Sequence, residues 1–180
     1  MSEEFTIAPA VTSDASGLVA LRAAVAAEGE FLVAEAGESA WPLDAMIARV
    51  RAATGAPSSE APARCLYVAR GRHRVVGFIE VQPGAFRRNR HVGYVEVMVA
   101  ADWRGRGVGR ALMDRALEWA SRSPLQKLAL SVYAHNAPAI ALYRKLGFEE
   151  EGRRVAEYLF PDGSYRDDVL MARFVARKEP

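Results

Sequence analysis

The sequence predicts a mixed α/β domain whose central sheet has about seven mostly antiparallel strands, flanked by about four helices. Apolar residues recur at helical spacing near the N-terminus, and short runs of period two follow them. Beyond these runs, strand and helix patterns alternate before a final pair of strands. The 180 residues suffice for one domain, 1–180, with a core that needs no covalent staple.

The first third of the chain is predicted to hold one strand and two helices. FTIAP is a short strand, and the helix after it has Leu18, Leu21 and Val25 at helical spacing. A second helix is predicted over 43–53, with Leu43, Ile47 and Val50 on its apolar side. The proline-rich stretch TGAPSSEAPA, 54–63, predicts an irregular connection.

Three consecutive antiparallel strands are predicted after this connection. They are CLYVAR at 65–70, VVGFIEV at 75–81 and VGYVEVMVA at 92–100, each rich in β-branched and aromatic residues. A glycine-rich turn then leads into a helix with a predicted apolar stripe of Val108, Leu112, Ala116 and Trp119.

The last third alternates strand and helix. KLALSV at 127–132 is a predicted strand, and 137–145 is a predicted helix that Gly147 ends. Two further strands flank the turn PDGS.

The composition excludes several classes of protein. The 24 Lys and Arg residues nearly balance the 22 Asp and Glu residues, which argues against a nucleic-acid binder. The single cysteine, Cys65, can form neither an intramolecular disulfide nor a thiolate zinc site, so we expect a reducing compartment and no metal. The acidic N-terminus and the lack of a long apolar run predict a cytoplasmic protein without a membrane segment.

The strongest chemical signal is the turn Arg-Gly-Arg-Gly-Val-Gly at 104–109, followed by Arg110. Its glycines allow successive N–H groups to converge on an anion, and the helix after it adds its positive end, which predicts a diphosphate cradle. The dinucleotide fingerprint fails because Arg110 or Leu112 stands at its third glycine, and no Walker lysine follows. A turn that merely reverses the chain is the alternative, which three interleaved arginines disfavour.

This turn, after a strand ending in V-M-V, resembles the acetyl-CoA signature Q/R-x-x-G-x-G/A of the GNAT superfamily of N-acetyltransferases. A second stretch, NAPAIALYRKLGF at 136–148, is similar to the family pattern N-x-x-A-x-x-L-Y-x-K-x-G-F. The resemblance covers 65–175 well and the earlier segments in element order only. The tail at 149–173 resembles the ribosomal-protein, spermidine and L-amino-acid acetyltransferase branches.

The resemblance implies a GNAT-like fold and direct transfer of an acetyl group from acetyl-CoA, the co-substrate, to a primary amine. Backbone groups of the strand before the turn would hold the pantetheine arm and polarise the thioester carbonyl. The turn would bind the pyrophosphate, chiefly through its main chain. The implied cofactor-binding positions, within the motif region 92–148, are Val97, Met98, Val99, Arg104, Gly105, Arg106, Gly107, Val108, Gly109, Arg110, Asn136 and Tyr143.

Tyr143 matches the family tyrosine that donates a proton to the coenzyme A sulfur. A phenol of pKa near 10 suits a thiol of pKa near 8.5, since the departing thiolate is basic enough to accept its proton. Asn136 matches the family asparagine that reaches the cofactor. The alternatives are a packed aromatic ring for Tyr143 and a helix N-cap for Asn136.

The expected general base is Glu96, which interrupts an apolar strand one residue before the pantetheine-binding segment. Glu80, on the preceding strand, is the competing candidate, and a water chain to either would also serve. Some relatives place a glutamate on the strand after the glycine helix. Ser131 occupies that position here, so this version of the mechanism does not carry over.

The amine site is expected in the variable segments 28–42 and 155–170, whose acidic and aromatic side chains suit a cationic amine. No role is assigned to the individual candidates Phe31, Glu35, Glu38, Trp41, Tyr158, Asp162, Tyr165 and Asp167. The expected partners are a small-molecule amine, an amino acid or a peptide N-terminus, and a second copy of the chain in a homodimer. The open alternatives are a longer acyl-CoA, a nucleotide-phosphate binder, and a catalytically inactive acyl-CoA-binding sensor or scaffold.

Overall fold

Seven strands, numbered in chain order, form one sheet: β1 (Thr6–Pro9), β2 (Cys65–Arg70), β3 (Val75–Pro83), β4 (Val92–Val99), β5 (Lys127–Tyr133), β6 (Glu149–Leu159) and β7 (Tyr165–Phe174). Their spatial order is β1-β2-β3-β4-β5-β7-β6, and all neighbours are antiparallel except β4 and β5. The predicted mixed, mostly antiparallel sheet is confirmed. The computed structural model describes residues 4–35, 38, 41–54 and 64–175.

Four α-helices accompany this sheet within the described residues: α1 (Ala15–Ala27), α2 (Leu43–Thr54), α3 (Val108–Ser121) and α4 (Ala137–Lys145). The predicted order of helices and strands is therefore confirmed. The predicted connection after α2 starts one residue later than expected, because Thr54 is still helical. Its remainder lies outside the described residues.

The buried faces of α1 and α3 largely follow the predicted stripes, whereas α2 follows its predicted stripe at Ile47 and Val50 but not at Leu43. Met46 and Val50 are fully buried, whereas the side chain of Leu43 is 50% exposed. Leu43 is the first helical residue, and because helical side chains lean toward the N-terminus, it extends past the turns that contact the core. On α3, Trp119 is only partly buried and Ala120 takes the inner position.

The pairing of β4 with β5 is short and leaves a gap between the two strands. Only three residue pairs join the two strands, ending at Tyr94 and Ala129. The middle pair needs a glycine at position 93, because a Cβ there would lie 2.7 Å from side-chain atoms of Leu125 and Val81 and 2.8 Å from Leu128 on β5. Beyond these pairs the register between β4 and β5 stops. Both strands keep their other neighbours, β3 and β7, so the gap lies inside the sheet.

Cys65 is a buried free thiol, and burial raises its pKa to about 12, so it stays protonated at neutral pH. The described part of the chain contains no helix long and apolar enough to cross a bilayer. No group of three or more potential metal ligands occurs among the described residues.

Candidate active site

A cleft of about 880 Å³ opens where β4 and β5 separate. Its walls come from both strands, from the glycine turn, from the first turns of α4 and from the loop after α1. The residues predicted for the site that line this cleft are Glu96, Val97, Met98, Val99, Arg104, Gly105, Gly107, Gly109, Arg110, Asn136 and Tyr143. The structure thus brings the two sequence motifs together at one gap in the sheet.

The glycine turn has the backbone geometry that an anion cradle requires. Gly105 and Gly107 have φ angles of +72° and +85°, in the left-handed region that favours glycine. A Cβ at either position would meet no atom within 4 Å, so this backbone borders open space. Gly107 is the N-cap of α3, and the helix therefore begins with N–H groups that have no carbonyl partner within it.

The arginines of the turn have protein partners of their own. Arg104 forms a two-point ion pair with Glu28, at 2.5 and 2.9 Å, and its Nε donates to the carbonyl oxygen of Val99 at 3.1 Å. Arg110 pairs with Asp114 at 3.0 Å. The guanidinium group of Arg106 lies 5.3 Å from the centre of the Trp103 ring.

Two predicted cofactor positions do not line the cleft. Val108, at the start of α3, is buried in the hydrophobic core, where it anchors the first turn of the helix. Arg106 is directed to the Trp103 ring and is absent from the cleft wall among the described residues. Any contribution of either residue to an anion site would come from its main chain.

Tyr143 and Asn136 enter the cleft from α4. The Tyr143 side chain is 7% exposed, and burial raises the pKa of its phenol to about 12. The hydroxyl therefore keeps its proton at neutral pH. The Asn136 Oδ1 accepts a bond from the backbone N–H of Ala139 at 3.3 Å, so Asn136 does act as an N-cap.

Glu96 also lines the cleft, but both of its carboxylate oxygens are engaged. Oε1 accepts from Arg22 at 2.7 Å, and Oε2 accepts from Arg49 at 2.6 Å. Both guanidinium groups lie over the ring of Trp41, at 4.2 and 3.9 Å from its centre. Proton uptake by Glu96 would weaken two charge-assisted hydrogen bonds, which argues against its predicted role as the base.

Glu80, the competing candidate, lies opposite Glu96 in the register of β3 and β4. Its side chain is 0% exposed, and the Nε of Arg49 donates to it. Burial raises its pKa, and the neighbouring arginine opposes that shift. Glu80 is absent from the cleft wall in the described chain.

Ring side chains form a cluster at the cleft. Tyr133 stacks on His135 at 5.3 Å between ring centres and meets Tyr158 edge-on at 5.0 Å. Phe160 and Phe31 complete this aromatic cluster, through contacts with Tyr133 and His135 respectively. Sequence reasoning missed Tyr133 and His135, although aromatic rings two residues apart at a strand end share one face and could have indicated a site.

Asp168 is a second residue that sequence reasoning missed. It lies on β7 opposite Tyr133, lines the cleft and is 2% exposed. Burial raises its pKa, while the charge of Arg154 and a hydrogen bond from Ser131 oppose that shift. The sequence singled out Asp167 instead. In a strand of period two, consecutive aspartates point to opposite faces, so the alternation predicts that one of the two faces the cleft but not which one.

The remaining predicted amine-site residues have other positions. Of the candidates in the two variable segments, Phe31 and Tyr158 line the cleft within the described chain. Asp162 accepts hydrogen bonds from Ser164 and shapes the turn between β6 and β7. Asp167 pairs with Arg153 at 3.3 Å and accepts from the backbone N–H of Ala156.

Comparison with known protein families gives one match across most of this region. The model of the acetyltransferase (GNAT) family matches residues 30–148. The L-amino acid N-acetyltransferase AaaT of Escherichia coli (strain K12) is 43% identical over 49 residues. That match spans 27% of this chain and 30% of the relative, well under two thirds of the relative's length.

Solved structures resemble the whole chain. An acetyltransferase of the GNAT family from Streptococcus pneumoniae has a TM-score of 0.86 at 25% identity, over 96% of this chain and 100% of that chain. The structure of yncA from Salmonella typhimurium, with its cofactor acetyl-CoA, has a TM-score of 0.85 at 18% identity. That likeness covers 98% of this chain and 97% of the other.

Proposed function

The chain belongs to the GNAT acetyltransferase family, and on this premise we propose that it transfers the acetyl group of acetyl-CoA directly to a primary amine. The observation that carries the proposal is the cleft between β4 and β5, which joins the glycine turn to Tyr143. The proposed acceptor is a small molecule, an amino acid or a protein N-terminus.

The glycine turn is the proposed site of the pyrophosphate. The open space beside Gly105 and Gly107 and the positive end of α3 support this assignment, since two negative phosphates need close backbone N–H donors. Because the three arginines of the turn already have protein partners, the proposed contacts are made chiefly by the main chain.

The pantetheine arm is proposed to follow β4 along residues 97–99. Pairing of β4 with β5 stops at Tyr94, so backbone groups beyond it that point away from β3 are available to an extended ligand. An N–H group there would polarise the thioester carbonyl. Tyr143, which keeps its proton because its pKa is about 12, is the proposed donor to the departing sulfur.

The acceptor amine is proposed to enter beside the aromatic cluster. Rings offer a cationic amine favourable contacts with their faces, and Asp168 adds a negative charge. Phe31 comes from the loop after α1 and Tyr158 from β6, and both segments are among those predicted to vary with the acceptor.

Two measurements test the proposed function. Acetyl-CoA should raise the melting temperature of the protein more than ATP does, and no shift with acetyl-CoA would contradict the cofactor assignment. Thiol release from acetyl-CoA is then measured with polyamines, amino acids, aminoglycosides and N-terminal peptides. Binding of acetyl-CoA without turnover of any acceptor would instead support a catalytically inactive acyl-CoA sensor.

A further inference from the structure

Three carboxylates, Glu80 on β3, Glu96 on β4 and Asp168 on β7, are candidates for the general base, and their environments differ. Glu96 holds one arginine on each oxygen, at 2.7 and 2.6 Å. Glu80 is fully buried against Arg49 and lies outside the cleft wall of the described chain. Neither carboxylate can accept a proton without disrupting a short ion pair.

Asp168 is held much more loosely. Its ion pair with Arg154 has an N–O distance of 3.4 Å, near the limit for a hydrogen bond. The Arg154 side chain is 49% exposed, and the same nitrogen lies 3.4 Å from Glu157. Proton uptake by Asp168 therefore costs less in lost ion pairing than uptake by Glu96.

From this contrast we propose that Asp168 is the general base that removes a proton from the acceptor amine. The inference rests on the proposed function, because it needs an amine acceptor in the cleft. It replaces Glu96 in the base role and leaves Glu96 as the junction that joins α1 and α2 to β4 through Arg22 and Arg49.

The surroundings of Asp168 suit this role. The groups that face it come from the two neighbouring strands and are Ser131 and Tyr133 on β5, and Arg154, Glu157 and Tyr158 on β6. Burial raises the pKa of Asp168, and a carboxylate with a raised pKa is a stronger base. Tyr133, with a pKa raised to about 12, and Tyr158 stay neutral beside it.

In the proposed acetyl transfer, every proton that leaves one group is taken up by another. One proton of the acceptor ammonium passes to an Asp168 oxygen, and the nitrogen lone pair forms a C–N bond with the acetyl carbonyl carbon. The C–S bond breaks with its electron pair on sulfur, and the thiolate takes the proton of Tyr143. The second nitrogen proton leaves as the amide forms and restores Tyr143. One ammonium and one thioester thus give one amide, one thiol and one proton on Asp168.

The test compares Asp168→Asn with the wild type for the best amine of the acceptor panel. We expect kcat/KM to fall by about 10²-fold, the usual contribution of a general base. The acidic limb of the pH profile, which reports loss of activity as Asp168 takes a proton, should disappear. Affinity for acetyl-CoA should not change, because the proposed cofactor contacts lie on β4 and α3.

Acetylation of hydroxylamine distinguishes a general base from a residue that only supports the structure. Its nitrogen is uncharged at neutral pH, so acetylation of hydroxylamine should fall far less in Asp168→Asn than acetylation of the panel amine. The matched control is Asp167→Asn, which changes the same residue type on the opposite face of β7. We expect it to retain both activities.

A second variant places a carboxylate on the neighbouring strand, β5, to replace the one removed from Asp168. Ser131 donates to Asp168, so a glutamate at position 131 reaches the same part of the cleft. Ser131→Glu in the Asp168→Asn background should recover activity toward the panel amine and regain an acidic limb.

Two results would overturn the inference alone: unchanged activity of Asp168→Asn, or equal losses with hydroxylamine and the amine together with no recovery by Ser131→Glu. Lack of thiol release by the wild type with every acceptor would instead overturn the proposed function and the inference with it.

Discussion

Arg104 and Glu28 form a two-point ion pair, with N–O distances of 2.5 and 2.9 Å, that ties the glycine turn to the end of α1. The same guanidinium group lies 4.8 Å from the centre of the Phe31 ring. The loop that carries Phe31 into the cleft is therefore held by the turn proposed to bind the pyrophosphate. A sequence separation of 76 residues hid this link from sequence reasoning.

Glu28→Gln should loosen this loop without unfolding the protein. The pair is partly exposed, so its loss should cost only about 0.2–1 kcal/mol of the free energy of unfolding. Amide hydrogen exchange at residues 29–33 should become faster. The control is Glu118→Gln, which breaks exposed pairs with Arg115 and Arg122 far from the cleft. Unchanged exchange in Glu28→Gln would show that the pair does not position the loop.

Gly107→Ala should weaken acetyl-CoA binding by about tenfold or more, equivalent to about 1.4 kcal/mol, because its methyl group enters the space proposed for the pyrophosphate. The matched control is Gly163→Ala, in the turn between β6 and β7. Gly163 has a φ of +80°, close to the +85° of Gly107, and also has open space at its Cβ position. Both variants should lose about 1–2 kcal/mol of stability from backbone strain. Equal acetyl-CoA affinities by calorimetry would contradict the placement.

Tyr143→Phe should lower kcat by about 10²-fold while leaving acetyl-CoA affinity nearly unchanged, because it removes the proton donor and keeps the ring in place. Since the pKa of Tyr143 is about 12, this donor adds no alkaline limb below about pH 10. The control is Tyr94→Phe, on the half-exposed part of β4. Wild-type turnover of Tyr143→Phe at saturating amine would remove Tyr143 from the mechanism.

Glu96→Gln should lower the free energy of unfolding and leave the pH dependence of the reaction unchanged. It weakens charge-assisted bonds to Arg22 and Arg49, which should cost about 1–3 kcal/mol of unfolding free energy in urea titrations. The acidic limb of kcat/KM should remain where it is in the wild type. A lost limb with unchanged stability would return the base role to Glu96.

Periodicity and two local motifs predicted the fold and eleven of the site residues that line the cleft, because those signals are contained within single elements. The β4 strand, the glycine turn and the start of α4 could each be recognised alone, and the fold brings them together. The partners of Glu96 could not be predicted, since Arg22 and Arg49 lie 74 and 47 residues away on two helices. Asp168 was missed for another reason: nothing local distinguishes it from Asp167, and only the pairing of β7 with β5 and β6 decides which one faces the cleft.

The short pairing between β4 and β5 allows the two parts of the sheet to unfold separately. Only three residue pairs join β4 to β5, so β1 to β4 and β5 to β7 form two half-sheets with few hydrogen bonds between them. An extended ligand bound between β4 and β5 would add hydrogen bonds between the two half-sheets and make them unfold as one cooperative unit. In native-state hydrogen exchange, amides of β5 and β7 should therefore open independently of β2 and β3 in the free protein, and merge with them once acetyl-CoA is bound.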